Sequence, residues 1–149
     1  MKPHNYYQSI PPNKYNPLSW ISPKAVIGDN VWIGSDVYIG DFVTIGHNVS
    51  ISNGVKIYDH DNSWHRVSQG LVKIRYFSVN IGDYTNIGSN SVIIPVDSDI
   101  VIGDHCIIGA LSFVSRSIPS YKVAMGIPAY ITRHIDENVI QEKMRCNNE

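Results

Sequence analysis

Apolar residues recur along this chain with a period of six. Isoleucine stands at Ile21, Ile27, Ile33, Ile39, Ile45, Ile51 and Ile57 with an unchanging step. Four residues after each of the first six comes a small apolar residue: Ala25, Val31, Val37, Val43, Val49 and Val55. The small residue fails at Asp61, and the pattern resumes at Ile81, Ile87 and Ile93. It resumes again at Ile102, Ile108 and Val114, after a slip of three residues. Eight of the eleven glycines directly follow one of these isoleucines, and turn formers come next, as in Gly28-Asp29-Asn30 and Gly34-Ser35-Asp36. Each unit therefore reads as a short strand followed by a turn, since Gly, Asn and Asp tolerate the backbone angles of tight turns. A helix would need a period of 3.6, and so many glycines and β-branched residues would oppose one.

An antiparallel sandwich would place its turns every eight to twelve residues. A strict period of six fits a solenoid instead, an all-β parallel β-helix in which each unit forms one side of a coil. Within Val-x-Ile, two residues flank one of opposite direction, so Val and Ile point inward and stack into a core. The 149 residues form a single domain on this reading. Residues 1–20, with Pro11, Pro12 and Pro17 opposing a helix, form an extended N-terminal cap. Coils occupy 21–57 and 79–133, a protruding loop 58–78, and a helix and tail 134–149, with Asp136 capping the helix and Val139, Ile140, Lys143 and Met144 on one face to cover the far end.

Composition narrows the functional classes. With 12 Lys and Arg against 13 Asp and Glu, the chain lacks the positive excess of a nucleic-acid or anionic-membrane binder. It has no apolar run long enough for a transmembrane helix, and Met1-Lys2-Pro3-His4-Asn5 does not open a secretory signal. Cys106 and Cys146 make neither a disulfide framework nor a zinc ribbon. A cytoplasmic location is the resulting expectation.

The stretch Ile27-Gly28-Asp29-Asn30-Val31-Trp32-Ile33-Gly34 resembles the hexapeptide repeat of left-handed β-helix acyltransferases, the sugar O-acetyltransferases among them. The resemblance covers about residues 21–133. It implies three hexapeptides per triangular coil, a left-handed winding, a homotrimer and acetyl-CoA as co-substrate. Function itself has to be sought where the repeat breaks, because a fold hosts many activities.

The first break, 58–78, holds His60, Trp64, His65, Arg66, Lys73 and Arg75. His60 follows Val55-Lys56-Ile57-Tyr58-Asp59, where the repeat leaves the coil, and the resemblance assigns it the catalytic role. The chemistry wants a base there: a sugar hydroxyl attacks a thioester only as its proton is removed, and an imidazole accepts protons near neutral pH. Asp59 and Asp61 read as turn formers beside it. His65 would make a metal-ligand pair with His60, but His47 is not in coil register to complete it. Trp64 reads as a loop anchor or subunit contact. Arg66, Lys73 and Arg75 read as a solvated face, with phosphate or a neighbouring subunit as the other options. The second break, Pro95-Val96-Asp97-Ser98-Asp99-Ile100, reads as a longer surface turn with solvated aspartates.

The run from Ile107 to Pro119 resembles the last coil of acetyl-CoA-dependent members, and Gly126-Ile127-Pro128-Ala129 resembles their cofactor turn. That implies a cofactor site at Ala110, Ser115, Arg116 and Arg133, with the arginines at the nucleotide phosphates. Ser89 matches an oxyanion-facing position of the family. Asn86 departs from it, standing where many sugar acetyltransferases carry Trp, so acceptor size does not carry over. Cys106 occupies an inward repeat position and reads as a small buried hydrophobe.

These features imply transfer of an acetyl group from acetyl-CoA to a sugar or sugar-nucleotide hydroxyl, a surface-polysaccharide precursor being one such acceptor, with no metal. An N-acetyltransferase on a nucleotide-linked amino sugar and a xenobiotic acetyltransferase are the nearest alternatives. A zinc-dependent γ-carbonic-anhydrase-like hydratase and a non-catalytic scaffold are the distant ones.

Overall fold

The computed structural model describes residues 12–146. Most of the expected N-terminal cap, residues 1–11, lies outside them. The strands are two or three residues long in the regular coils and form three parallel faces. The first face stacks β1 (Trp20–Ile21), β4 (Tyr38–Ile39), β7 (Lys56–Ile57), β12 (Val92–Ile93) and β15 (Phe113–Val114). The second stacks β2 (Val26–Ile27), β5 (Val43–Ile45), β10 (Val79–Ile81) and β13 (Ile100–Ile102). The third stacks β3 (Trp32–Ile33), β6 (Ser50–Ile51), β11 (Asn86–Ile87), β14 (Ile107–Ile108) and β16 (Lys122–Gly126), and β17 (Ala129–His134) closes it as an antiparallel hairpin. A separate hairpin, β8 (His60–Asp61) with β9 (Arg75–Tyr76), and a short helix α1 (Ser63–Val67) lie in the inserted loop.

Register matches the hexapeptide reading. Trp20 pairs with Tyr38 and Tyr38 with Lys56, one coil apart, and the inward column Ile21, Ile39, Ile57, Ile93 and Val114 is buried throughout. Val37, Val43, Val49 and Val55 are equally buried, as is Cys106. At four small inward positions a hydroxyl replaces a methyl: Ser19, Thr85 and Ser91 find the carbonyls of Gly34, Gly103 and Gly109 one coil on, and Ser112 bonds the Gly109 carbonyl of its own coil. No buried side-chain polar atom among the described residues lacks a partner, as a dry core requires.

The corners differ. Between the second and third faces, each turn carries a left-handed residue: Asn30, Asn48, Tyr84, His105 and Tyr121. Three of these are bulky, which costs on the order of 1–2 kcal/mol apiece. Their rings stack in a ladder, Tyr84 on His105 and His105 on Tyr121, with centroids 4.9 Å apart in both pairs, which offsets part of that cost. Asp36, Gly54, Asn90 and Leu111 play the same part between the third and first faces. Between the first and second faces no described residue of the regular coils has a positive φ, and both insertions open at this corner.

One expectation gains detail and one needs correction. The 94–99 turn is exposed at residues 96–99, as a surface turn should be, and it also touches the inserted loop: Asp97 reaches Arg75 at 3.4 Å and Asp99 accepts the Ser78 N–H at 2.8 Å. The terminal helix, α2 (Glu137–Cys146), begins after Asp136, whose carboxylate accepts the Asn138 N–H, yet it buries no residue and covers no end of the coil. Its Val139 and Met144 remain exposed because the β16–β17 hairpin carries the chain away first.

The alternation of inward and outward positions yields a paired expectation. Ile87→Ala should lower unfolding free energy by about 2–5 kcal/mol, whereas Asn86→Ala, one residue away on the outer surface, should stay within about 0.5 kcal/mol. Urea midpoints of the two variants check both.

Candidate active site

Asp59 occupies a position the scaffold uses repeatedly. Two residues after a core isoleucine, a side chain accepts the backbone N–H of the coil before: His47 from Asp29, Asn53 from Ser35, Asp83 from His47, and Asp104 from Asp83. Asp59 follows Ile57 in the same way, its Oδ2 accepting the Phe42 N–H at 3.2 Å while its carboxylate packs against Gly40. Its carbonyl accepts the Phe77 N–H at 2.8 Å, tying both ends of the inserted loop together. The side chain is almost fully buried, and its other oxygen, Oδ1, lies 2.6 Å from Nδ1 of His60.

This contact sets the histidine. A buried carboxylate can only accept, so Nδ1 carries the proton and donates it, and Nε2 is left as the basic nitrogen. The imidazole leans on Tyr76, its cross-strand partner in the β8–β9 hairpin, with centroids 5.0 Å apart. It is about 29% exposed and opens into a cavity of about 210 Å³ lined by Tyr58, His60, Asp61, Asn62 and Ile94. Two further carboxylates stand nearby. Hydrogen bonds from Lys24 and Ser22 hold the Asp41 carboxyl below the usual carboxylate range, and those from the Ser63 hydroxyl and N–H do the same for Asp61. Of these acids it is Asp59 that contacts the His60 ring.

The remaining expected residues lie elsewhere. Ser89 and Ala110 stack on consecutive coils at the corner between the third and first faces, where the Ser89 carbonyl accepts the Leu111 N–H at 2.9 Å. Contact is so close there that a Cβ on Gly88 would meet the Ala110 nitrogen at 2.4 Å. Ser115 and Arg116 line a cavity of about 410 Å³ at the end of the coil, with Pro128, Ala129 and Tyr130 of the hairpin. Arg133 is exposed on β17 and does not line it. One chain thus brings Ser89 to Ala110 and Ser115 to Arg116, and leaves His60 on a different corner from Ser89.

Sequence reasoning missed Asp59 as the partner of His60, although the recurring acceptor position after each isoleucine marks it. Tyr76 and Ile94 had no such signal, because they reach the site through a hairpin and a neighbouring coil. Trp64, read as a loop anchor or a subunit contact, is 68% exposed. His65 Nδ1 is engaged with the Val72 carbonyl at 2.8 Å. Among the described residues, no group of three or more His, Cys, Asp or Glu could hold a metal ion, and no helix is long and apolar enough to cross a membrane.

Known proteins align with this arrangement. Residues 24–59 match the family model "Bacterial transferase hexapeptide (six repeats)", and residues 78–110 match "Hexapeptide repeat of succinyl-transferase". The gap between the two is the inserted loop. The galactoside O-acetyltransferase of Escherichia coli (strain K12) is 41% identical over 61 residues, which is 41% of this chain and 29% of that protein. Among solved structures, a galactoside acetyltransferase in complex with coenzyme A superposes with a TM-score of 0.70 at 30% identity, covering 83% of this chain and 62% of the other. A maltose O-acetyltransferase from Clostridium difficile 630 gives 0.63 at 30% identity, covering 79% and 63%. The chain carries hexapeptide repeats and resembles the sugar O-acetyltransferases, and its fold is the left-handed parallel β-helix. It spans less than half the length of the curated relatives it matches.

Burial pushes the Cys106 thiol above its usual range, and its Sγ lies 3.1 Å from the Pro119 carbonyl. Cys146 is exposed. A disulfide reagent at pH 8 should therefore modify one thiol rapidly in the native protein and the second only on unfolding. Two equally fast thiols would contradict the burial of Cys106.

Proposed function

We propose that the chain transfers an acetyl group from acetyl-CoA to a hydroxyl of a sugar or sugar nucleotide. The observation that carries this reading is the Asp59–His60 pair, a histidine oriented by a buried carboxylate in a cavity where the repeat is interrupted. Its hexapeptide relatives, acetyltransferases of galactosides and maltose among them, supply the reaction class.

Nε2 of His60 removes the acceptor hydroxyl proton as that oxygen attacks the thioester carbonyl. The Asp59 carboxylate stabilises the resulting imidazolium. The Ser89 N–H donates to the oxyanion of the tetrahedral intermediate. When the intermediate collapses, the carbon–sulfur bond breaks and the CoA thiolate takes the proton back from His60. Ala110 allows close approach of the pantetheine arm, and Ser115, Arg116 and Arg133 serve the nucleotide end. The separation of His60 from Ser89 within one chain favours a site shared between copies, and a homotrimer supplies three such sites. The cell compartment that suits acetyl-CoA is the cytoplasm.

On this reading His60→Ala lowers kcat by about 10²–10⁴-fold in a thiol-release assay while acetyl-CoA affinity survives. Asp59→Asn should also slow turnover, because an amide offers one acceptor oxygen to two donors, the Phe42 N–H and His60 Nδ1–H. Full turnover in His60→Ala, with acetylated product demonstrated, would remove the base from the mechanism.

Assembly and cofactor contact give a second check. Sedimentation should yield a trimer, and a monomer at micromolar concentration would leave the site without its second wall. Replacing Arg116 and Arg133 by Ala should weaken acetyl-CoA binding measured by calorimetry, and unchanged affinity would reject the phosphate assignment.

A further inference from the structure

The inserted loop holds a second cavity, of about 170 Å³, whose walls include Asp61, Trp64, His65, Lys73, Arg75 and Phe77. It adjoins the His60 cavity. Asp61 lines both, and Ile94 and Val96 of a single turn contribute one residue to each. Lys73 and Arg75 both line this cavity.

The two cations are under-compensated. Among the described residues Lys73 has no ion pair. Arg75 lies over the Phe77 ring at 5.4 Å and reaches only the largely exposed Asp97, at 3.4 Å. Arg75 faces Asp61 across the hairpin, yet the pair does not close to ion-pair distance. Asp61 is instead engaged through Oδ1 with the N–H and hydroxyl of Ser63, which hold it ionised and turned toward its own helix. The exposed Trp64 indole adds a broad apolar surface of the kind that meets the C–H face of a pyranose ring.

Resting on the acetyl-transfer reading, we propose that the acceptor is an acidic saccharide. Its reacting hydroxyl sits at His60, and its carboxylate or phosphate is bound between Lys73 and Arg75 in the adjoining cavity. Charge-assisted bonds of this kind discriminate by about 10- to 100-fold against a neutral analogue.

The test pairs neutral with anionic acceptors: methyl galactoside with methyl galacturonide, methyl glucoside with methyl glucuronide, and glucose with glucose 1-phosphate. Acetyl transfer is followed by thiol release, and saccharide binding by calorimetry. The expected result is a kcat/KM at least 10-fold higher for the anionic member of a pair. The uronide and phosphate arms show which anion the cavity takes. In Lys73→Gln/Arg75→Gln the ratio should fall to within about threefold of one, and Lys73→Arg/Arg75→Lys should keep most of it. Equal rates on neutral and anionic acceptors, or a preference that survives Lys73→Gln/Arg75→Gln, would overturn the proposal. So would dissociation of the assembly in that variant, which would assign the cations to a neighbouring copy. If no saccharide is acetylated but wild type binds uronides or sugar phosphates and the glutamine variant does not, the cavity assignment stands and the acetyl-transfer reading falls. If no saccharide is acetylated and none is bound, both fall.

Discussion

Coil-to-coil backbone contact is the constraint on which everything else depends. Residues one turn of the helix apart lie so close that a methyl group on Gly88 would fall 2.4 Å from the next backbone nitrogen. The interior between them is filled by a column of isoleucines with valine or a small hydroxyl beside it. The outward strand positions are free to vary under this geometry, and the corners are not. Two of the three corners are held by a left-handed residue at each level, with Tyr84, His105 and Tyr121 stacked to offset the strain at one of them. The third lacks that lock, and the chain lengthens only there.

The site grows out of the same corner bonding. Asp59 performs the usual structural task of its position, accepting a backbone N–H from the coil before. Such a carboxylate has a second oxygen, and the chain directs it at the very next side chain. His60 is thereby oriented by a residue that the scaffold itself holds, and the Phe77 N–H on the Asp59 carbonyl anchors the loop's return. Orientation of a base by groups that are themselves locked is what an acid–base site needs. The 94–99 turn, lengthened by three residues, fills the level above and contributes Ile94 to the His60 cavity.

Most of the fold was legible because its determinants are local and repeated. Ile39, Ile45 and Ile51 each state the same instruction, so a period of six with Gly and Asx between strands leaves few alternatives. His60 was singled out by the family resemblance, at the point where the repeat leaves the coil. The features that escaped depend on contacts a full coil or more apart. Asp59 looked like any turn aspartate until its register with Gly40 and Phe42 was known. The contacts of the exposed Asp97 and Asp99 with Arg75 and Ser78 escaped too, since each spans more than twenty residues of sequence. The helix α2 had a clear amphipathic pattern and a clear cap, yet pattern alone does not say what surface will meet its apolar face.

His60 lies on a different corner from Ser89 and Ala110, and on the proposed mechanism a working site would therefore draw on two copies of the chain. Subunit mixing tests this directly. One inactive protein carries His60→Ala and the other Ala110→Trp, which blocks the close approach at the opposite corner. After unfolding and joint refolding, mixed assemblies should recover a substantial fraction of wild-type acetyl transfer, because some interfaces unite an intact His60 with an intact Ala110. Activity that stays at the level of the separate mutants, in assemblies shown to be mixed, would mean that each site is built within one chain.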